Sequence, residues 1–347
     1  MKNPPLLLVR ADASTAIGSG HVTRCLALAK AWQDTGSRVC YLMAESIPAL
    51  DEWLARENVE QARFSVEPGS KEDAEQTAAC AHRLDVSWVV VDGYRFRPDY
   101  VRTLKASGVR VLFLDDDARF DSYSADVVLN QNIDANAGMY RKTEPGTRLL
   151  LGAEYVLLRP EFRAEPRTRV IAGVARKLLV TMGGSDPENV TLKVMQALSG
   201  MAETDFEAAI VVGGGNPHYA SLQAAAERLP GKICLERNPA NMARLMSGVD
   251  VAISAAGGTC WELAFLGVPM IVIVLTSDQE ANASAISQQG AALSLGWHAN
   301  LSAHQISDAL RNVLGDGERR RVMSERGQRL VDGRGAARVV EFIKNSL

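Results

Sequence analysis

Little in this chain advertises a macromolecular partner. Its formal net charge is only -3, so there is no basic surplus to hold a polyanion, which argues against nucleic acid. Aromatic residues make up 6% of the sequence and do not cluster, which removes the stacking platform that single strands need. The five cysteines (Cys25, Cys40, Cys80, Cys234, Cys260) are scattered, odd in number and never spaced as CxxC. That pattern predicts buried free thiols and excludes a disulfide framework or a structural zinc site. The longest apolar runs, such as Val268 to Leu275, fall well short of a membrane span. The opening Met1-Lys-Asn-Pro-Pro5 leads into a strand without a signal-peptide cleavage pattern. These absences predict a cytoplasmic protein with no nucleic acid partner and no membrane insertion.

What is present is the raw material of two ordinary domains. The 347 residues suffice for about two, and 47% hydrophobic against 23% charged residues describes a chain able to bury substantial cores. Strands are predicted near Leu6–Val9, Arg38–Met43, Trp88–Asp92, Val109–Leu114 and Val127–Leu129, with helices between them such as His21–Thr35 and Pro98–Ala106. These are continuous apolar runs, as a parallel sheet covered on both faces requires. The stretch Arg163-Ala-Glu-Pro-Arg-Thr-Arg169 reads as a linker. The alternation then restarts, with strands predicted at Lys177–Thr181, Ala208–Val212, Ile233–Leu235, Val251–Ile253 and Met270–Ile273. The fold class is therefore α/β, with two Rossmann-type βαβ domains over 1–165 and 175–347. The final helix, near Ala336 to Asn345, is placed to pack back onto the first domain.

In such folds ligands bind beyond the carboxyl ends of the strands, so the βα turns carry the functional signal. The first is Arg10-Ala-Asp-Ala-Ser-Thr-Ala-Ile-Gly-Ser-Gly-His21, where a strand enters a Gly-Ser-Gly turn and a histidine sits at a helix start. Gly18 and Gly20 permit a tight turn and close approach of a ligand. A helix N-terminus disfavours imidazolium, so His21 is expected to be neutral near pH 7 and able to accept a proton. The plain alternative is a strand-to-helix turn with a half-buried histidine. Asp92-Gly-Tyr94 ends another strand; Asp92 reads as a helix cap, and Tyr94 is expected to point toward a cleft between the domains. The run Asp115-Asp-Asp117 suggests a metal site, but no fourth ligand group is near, and the preferred reading is one capping Asp with the others solvated.

In the second half, Thr181-Met-Gly-Gly-Ser-Asp-Pro-Glu188 is a glycine turn in which Gly183 and Gly184 form a generic phosphate cradle. Pro187 fits the first helical position there, and Asp186 or Ser185 the cap. Val211-Val-Gly-Gly-Gly-Asn216 repeats the idea, and neither turn matches a dinucleotide or Walker motif. The strongest segment runs from Ser254 to Pro269. Gly257, Gly258 and Thr259 offer backbone N–H groups and a hydroxyl to an anion at a helix start. Glu262 has two readings: the capping-box partner of Thr259, or a bidentate carboxylate for two ribose hydroxyls. Thr276-Ser-Asp-Gln-Glu-Ala-Asn282 follows the next strand. There Ser277 with Glu280 fits a cap, while Gln279 and Asn282 are candidates to face the ligand.

The glycines before Thr259, Glu262, Leu266-Gly-Val-Pro269 and Asp278-Gln279 before Asn282 resemble the nucleotide-binding half of GT-B glycosyltransferases, in particular the family of the lipid II-forming N-acetylglucosaminyltransferase. The first half narrows the match. Arg10-Ala-Asp12, Ile17-Gly-x-Gly-His21, Arg24, Asp92-x-Tyr94, Leu114-Asp-Asp116, Asn130-Gln131, Leu151-Gly-x-x-Tyr155 and Leu158-Arg-Pro-Glu161 resemble the UDP-sugar hydrolase family of pseudaminic acid biosynthesis and its spore-coat polysaccharide relatives. The resemblance runs over nearly the whole chain. It implies a GT-B-like fold, two Rossmann-type domains facing across a cleft. It also implies metal-independent hydrolysis of UDP-2,4-diacetamido-2,4,6-trideoxy-β-L-altropyranose to free sugar and UDP, with no cofactor. His21 takes the role of the base that activates water. Asp12, Gly18, Gly20, Arg24 and Tyr94 fall in the substrate set of the first domain, with Asp12 either orienting His21 or binding a sugar hydroxyl. Gly183, Gly184, Asn238 (in the loop that backs the base), Gly257, Gly258, Thr259, Glu262, Asp278, Gln279 and Asn282 fall in that of the second. No metal site is implied.

Two rivals stay open on the sequence: a GT-B glycosyltransferase that passes a UDP-amino-sugar donor's sugar to an alcohol, and a non-catalytic nucleotide-sugar binding module. A monomer or weak dimer is expected. Substrate bridging His21 and Glu262 would draw the domains together.

Overall fold

A computed structural model describes residues 4–346 apart from 15, 16, 19, 202–204, 230, 231 and 240. The chain divides into two compact units, one of residues 1–160 with 333–347 and the other of 161–332. The second unit is thus bounded on both sides by the first, instead of running to the end of the chain from 175.

In the first unit the strands are β1 (Leu6–Ala11), β2 (Arg38–Met43), β3 (Glu60–Arg63), β4 (Trp88–Asp92), β5 (Arg110–Leu114), β6 (Val127–Asn130) and β7 (Arg148–Leu151). They form one sheet in the order β3-β2-β1-β4-β5-β6-β7, and the pairs are parallel throughout. β1 and β4 lie at its centre with every residue buried. That is why they read as near-continuous apolar runs: helices cover both faces, and the polar exceptions, Arg10 and Asp92, are buried and paired. The helix Gly20–Gln33 buries Val22, Cys25, Leu26 and Ala29 on this sheet. The helix Gly335–Asn345 joins the same core through Ala336, Val339, Val340 and Ile343.

In the second unit β8 (Lys177–Thr181), β9 (Glu207–Val212), β10 (Lys232–Arg237), β11 (Val251–Ala255), β12 (Met270–Val274) and β13 (Ala292–Trp297) form a parallel sheet in the order β10-β9-β8-β11-β12-β13. Each sheet reverses its winding once, between β1 and β4 in the first unit and between β8 and β11 in the second. Beyond the carboxyl ends of those strand pairs lie the crevices where doubly wound sheets take ligands.

Three local expectations fail. The stretch read as a linker is fastened to the second unit. Arg167 donates to the Gln328 carbonyl at 2.6 Å and lies over the Phe265 ring at 4.7 Å, and Arg169 donates to the Ser247 carbonyl at 3.2 Å. Cys234 is exposed, while the other four cysteines are buried as free thiols. Pro187 does not open a helix. The helix begins at Val190 with Asn189 in the cap position, and Asp186, three residues before it, accepts the Val190 and Thr191 N–H groups at 2.8 and 2.9 Å. No helix among the described residues is long and apolar enough to cross a membrane.

Candidate functional site

At the winding reversal of the first unit the helix Gly20–Gln33 begins beside the end of β4. Positions 21, 24 and 25 are three and four apart, so His21, Arg24 and Cys25 share one face of the helix. All three converge on Asp92, the last residue of β4, which is fully buried. His21 Nδ1 is 2.8 Å from Asp92 Oδ1. Arg24 forks onto the same carboxylate, Nη2 to Oδ1 and Nε to Oδ2, both at 2.7 Å, and Cys25 Sγ donates to Oδ2 at 3.3 Å. Arg24 Nη1 reaches on to Asp116 Oδ1 at 2.7 Å. Burial alone would push the Asp92 carboxyl up, but the Arg24 charge and the His21 contact outweigh it and hold it well below the usual carboxylate range. Arg24 shows the converse. Burial opposes its charge, yet Asp116 and Asp92 hold the guanidinium far above its ordinary value.

An ionised Asp92 can only accept, so the proton of a neutral His21 sits on Nδ1 and Nε2 keeps its lone pair. The His21 side chain is 9% exposed. Tyr94, half exposed, meets it edge-on, with centroids 4.7 Å apart and an interplanar angle of 82°. Arg119 lies over the Tyr94 ring at 5.2 Å and donates to the Tyr94 carbonyl at 3.0 Å. Gly18 has φ +73° and donates to the Ser14 carbonyl at 2.8 Å, a tight turn that a side chain would strain. Gly20 opens the helix with open space where a Cβ would stand.

Several roles differ from those read in the sequence. Asp92 caps no helix: the next one starts at Pro98, behind Arg97. Asp12 makes no contact with His21. Its Oδ1 accepts the Ala44 and Glu45 N–H groups at 2.8 and 3.0 Å, and its Oδ2 pairs with the buried Arg10 at 2.8 Å, so it fastens the end of β2. Arg24 is spent on carboxylates. Of the triple Asp run, only Asp117 is largely exposed. Asp115 is buried, accepting the Tyr123 and Tyr140 hydroxyls at 2.9 and 3.0 Å, with its pKa raised by burial. Asp116 anchors Arg24. Among the described residues no cluster of three His, Cys, Asp or Glu side chains could hold a metal.

At the winding reversal of the second unit, β11 ends at Ala255 and the helix Thr259–Leu266 follows, with Gly258 as its cap. Thr259 is therefore the first helical residue and not the cap of a capping box. The N–H groups of Gly257, Gly258 and Thr259 precede the first turn-closing bond, from the Cys260 N–H to the Gly257 carbonyl at 3.0 Å. Glu262 is partly buried in the first turn. Asn282 is buried; its Nδ2 donates to the Ala256 carbonyl at 2.7 Å, holding the turn, while Oδ1 has no partner among the described residues. Gln279 Oε1 accepts the Leu275 N–H at 3.1 Å, and its amide stands beside Gly257. Asp278 is exposed on the short 3-10 turn Ser277–Gln279, and neither Ser277 nor Thr276 caps by side chain. The turn after β8 meets the turn after β9: a Cβ on Gly213 would lie 2.3 Å from the Gly184 carbonyl oxygen and 2.5 Å from that of Gly183. Asn238 (φ +54°) is exposed against Gly214. The predicted residues of the second unit therefore gather along one end of one sheet.

Two Rossmann-like parallel-sheet units define a GT-B-like fold. Residues 178–335 match the family model described as the glycosyltransferase family 28 C-terminal domain. The chain is homologous to the spore coat polysaccharide biosynthesis protein SpsG of Bacillus subtilis strain 168, 29% identical over 68% of this chain and 69% of that one. It is also homologous to UDP-2,4-diacetamido-2,4,6-trideoxy-beta-L-altropyranose hydrolase of Campylobacter jejuni, 26% identical over 82% of this chain and 97% of that one. Among solved structures, MurG of Acinetobacter baumannii superposes with a TM-score of 0.69 at 18% identity, covering 99% of this chain and all of that one, a likeness of fold.

Proposed function

We propose that this chain is a UDP-sugar hydrolase that releases a diacetamido-trideoxy sugar and UDP, a step in making a nonulosonic acid of the pseudaminic type. The observation that carries the proposal is the His21–Asp92 pair. It leaves Nε2 as a base at a ligand-binding crevice, in a chain homologous over most of its length to a hydrolase of such a substrate. Water gives a proton to His21 Nε2 and its oxygen attacks the anomeric carbon. The bond from that carbon to the diphosphate oxygen breaks, and UDP leaves with the electron pair. In this assignment Gly257, Gly258 and Thr259 donate N–H groups to the departing diphosphate, so charge is stabilised without a metal. Glu262 holds the ribose, and Asn238 backs the uracil. Gly183, Gly184, Asp278 and Gln279 line the nucleotide side, with Asn282 holding the diphosphate turn in shape. Tyr94 contacts the sugar. General-base help of this kind is worth about a hundred- to ten-thousand-fold.

The family 28 match favours one other reading, transfer of the sugar to an alcohol. The two separate in a single assay: UDP release from a panel of UDP-amino-sugars, with NMR of the sugar product, for wild type and His21→Asn in the presence of a chelator. Free sugar that depends on His21 is the expected result. UDP binding without release refutes hydrolysis and leaves transfer or simple binding. Full turnover by a correctly folded His21→Asn variant refutes the base assignment.

A further inference from the structure

We propose that Arg24 is a positioning residue for His21 and not a contact for the substrate. This rests on the reading of His21 as the base. A guanidinium grips an oxyanion best through two parallel N–H groups. Of the two such edges in Arg24, Asp92 fills the one formed by Nε and Nη2, and Asp116 takes Nη1, which the other edge needs, all at 2.7 Å. The side chain is only 17% exposed. A phosphate or carboxylate ligand would have to displace the buried Asp92, or compete with Asp116 for Nη1, to be gripped in this way.

The clamp has three consequences for the imidazole. It keeps Asp92 ionised, so Asp92 remains an acceptor for the Nδ1 proton. It fixes the carboxylate by a two-point fork, and with it the direction in which Nε2 is aimed. It also sets a positive charge behind Asp92 that balances the buried carboxylate. Among the described residues, the groups that face or govern the ring are Asp92 and Tyr94 at the end of β4, Arg24 and Cys25 from its own helix, and Asp116 acting through Arg24. If the Arg24 charge is removed, a bare buried carboxylate is left beside the imidazole. The ring then takes up a second proton at higher pH, and the base is lost to an ion pair.

The test uses Arg24→Gln, Arg24→Lys and Asp116→Asn in the full chain. The first readout is the 15N NMR titration of His21 without substrate, assigned with His21→Asn. The second is kcat and KM for UDP release against pH, with UDP affinity by calorimetry. In Arg24→Gln the imidazole is expected to stay doubly protonated to a higher pH than in wild type. The acid limb of kcat should move with it, and kcat at neutral pH should fall about a hundredfold, as expected for a misaligned catalytic group. UDP affinity should be unchanged. Arg24→Lys should restore the titration more than the rate, since an ammonium supplies the charge without the fork. Asp116→Asn should fall between wild type and Arg24→Gln. A loss of UDP or substrate affinity with an unmoved His21 titration overturns the proposal, and so does an unmoved titration with an unmoved kcat. Should Arg24→Gln fail to fold, the other two variants are judged by the same criteria. If wild type releases no UDP, the hydrolase reading falls while the titration still decides the role of Arg24.

Discussion

Asp92→Asn is the sharpest perturbation available, because it exchanges one atom at the centre of four donors. Asp92 accepts from His21 Nδ1, twice from Arg24 and once from Cys25. An asparagine keeps one acceptor oxygen and offers an NH2 at the other position. With the NH2 at the Oδ1 place it confronts His21 Nδ1–H and Arg24 Nη2; at the Oδ2 place it confronts Arg24 Nε. Either orientation sets donor against donor in a buried site, at about 1–3 kcal/mol. Arg24 also loses one of its two carboxylates, so the whole change approaches the roughly 3–5 kcal/mol of a broken buried pair. The first orientation also drives His21 to the other tautomer, with the proton on Nε2, where no base remains. The rate of UDP release should therefore fall by most of the roughly hundred- to ten-thousand-fold that a general base supplies. The assays are urea unfolding for stability, kcat for UDP release and calorimetry for UDP. The pH dependence of stability adds a check. A carboxyl held below its ordinary value stabilises the fold above the unfolded pKa, about 3.9, and this contribution is lost as the pH falls further. The stability gap between wild type and variant should narrow in acid. Turnover comparable to wild type in a folded Asp92→Asn, with UDP affinity intact, would refute the tautomer argument.

Other outcomes follow from single positions. A Cβ at Gly258 meets nothing within 4 Å, so Gly258→Ala should leave urea unfolding unchanged while weakening UDP binding, because the methyl stands where the diphosphate must approach; equal UDP affinity by calorimetry would remove this turn from the site. Gly335→Ala is the opposite case. Its Cβ would lie 2.3 Å from the Val156 carbonyl oxygen, and overpacking of this kind should lower stability by about 1–3 kcal/mol, read by urea unfolding. Native protein treated with iodoacetamide should label at Cys234 alone and at all five cysteines once denatured, counted by mass spectrometry. Dialysis against a chelator should leave UDP release unchanged if the diphosphate is stabilised by backbone N–H groups; a loss restored by a divalent cation would contradict that assignment.

The central strands were legible because burial on both faces makes them mostly apolar, with Arg10 and Asp92 as paired exceptions near their carboxyl ends. β3 (Glu-Gln-Ala-Arg), β7 and β13 were not predicted, and each is an edge strand with one side in reach of solvent. β3 carries neither an apolar run nor an alternation, β7 offers only the three leucines 149–151, and β13 alternates through Leu293, Leu295 and Trp297, a short signal that was overlooked. His21 was legible because glycines, strand and helix start are adjacent in sequence. Asp92 was misread because its meaning lies 71 residues away, in the side chain it holds. At the end of a strand an Asp looks like a cap, and only the β1–β4 pairing shows that it lies beside the helix that follows β1. Which partners Asp12 takes was equally illegible: Ala44 and Glu45 lie in the loop after β2, a distance that no motif spacing records. In the second unit, Thr259 and Glu262 have capping-box spacing, yet the cap falls one residue earlier, at Gly258.

The division of the chain also sets an order of events during synthesis. The helix Gly335–Asn345 supplies Val339, Val340 and Ile343 to the core that holds β1 and the helix Gly20–Gln33. The unit begun first on the ribosome thus cannot close until everything in 161–332 has been made. At about 5–20 residues per second that is a wait of roughly ten seconds or more. Through that interval the nascent chain leaves uncovered the apolar residues, Trp32 among them, that share a core with the helix Gly335–Asn345.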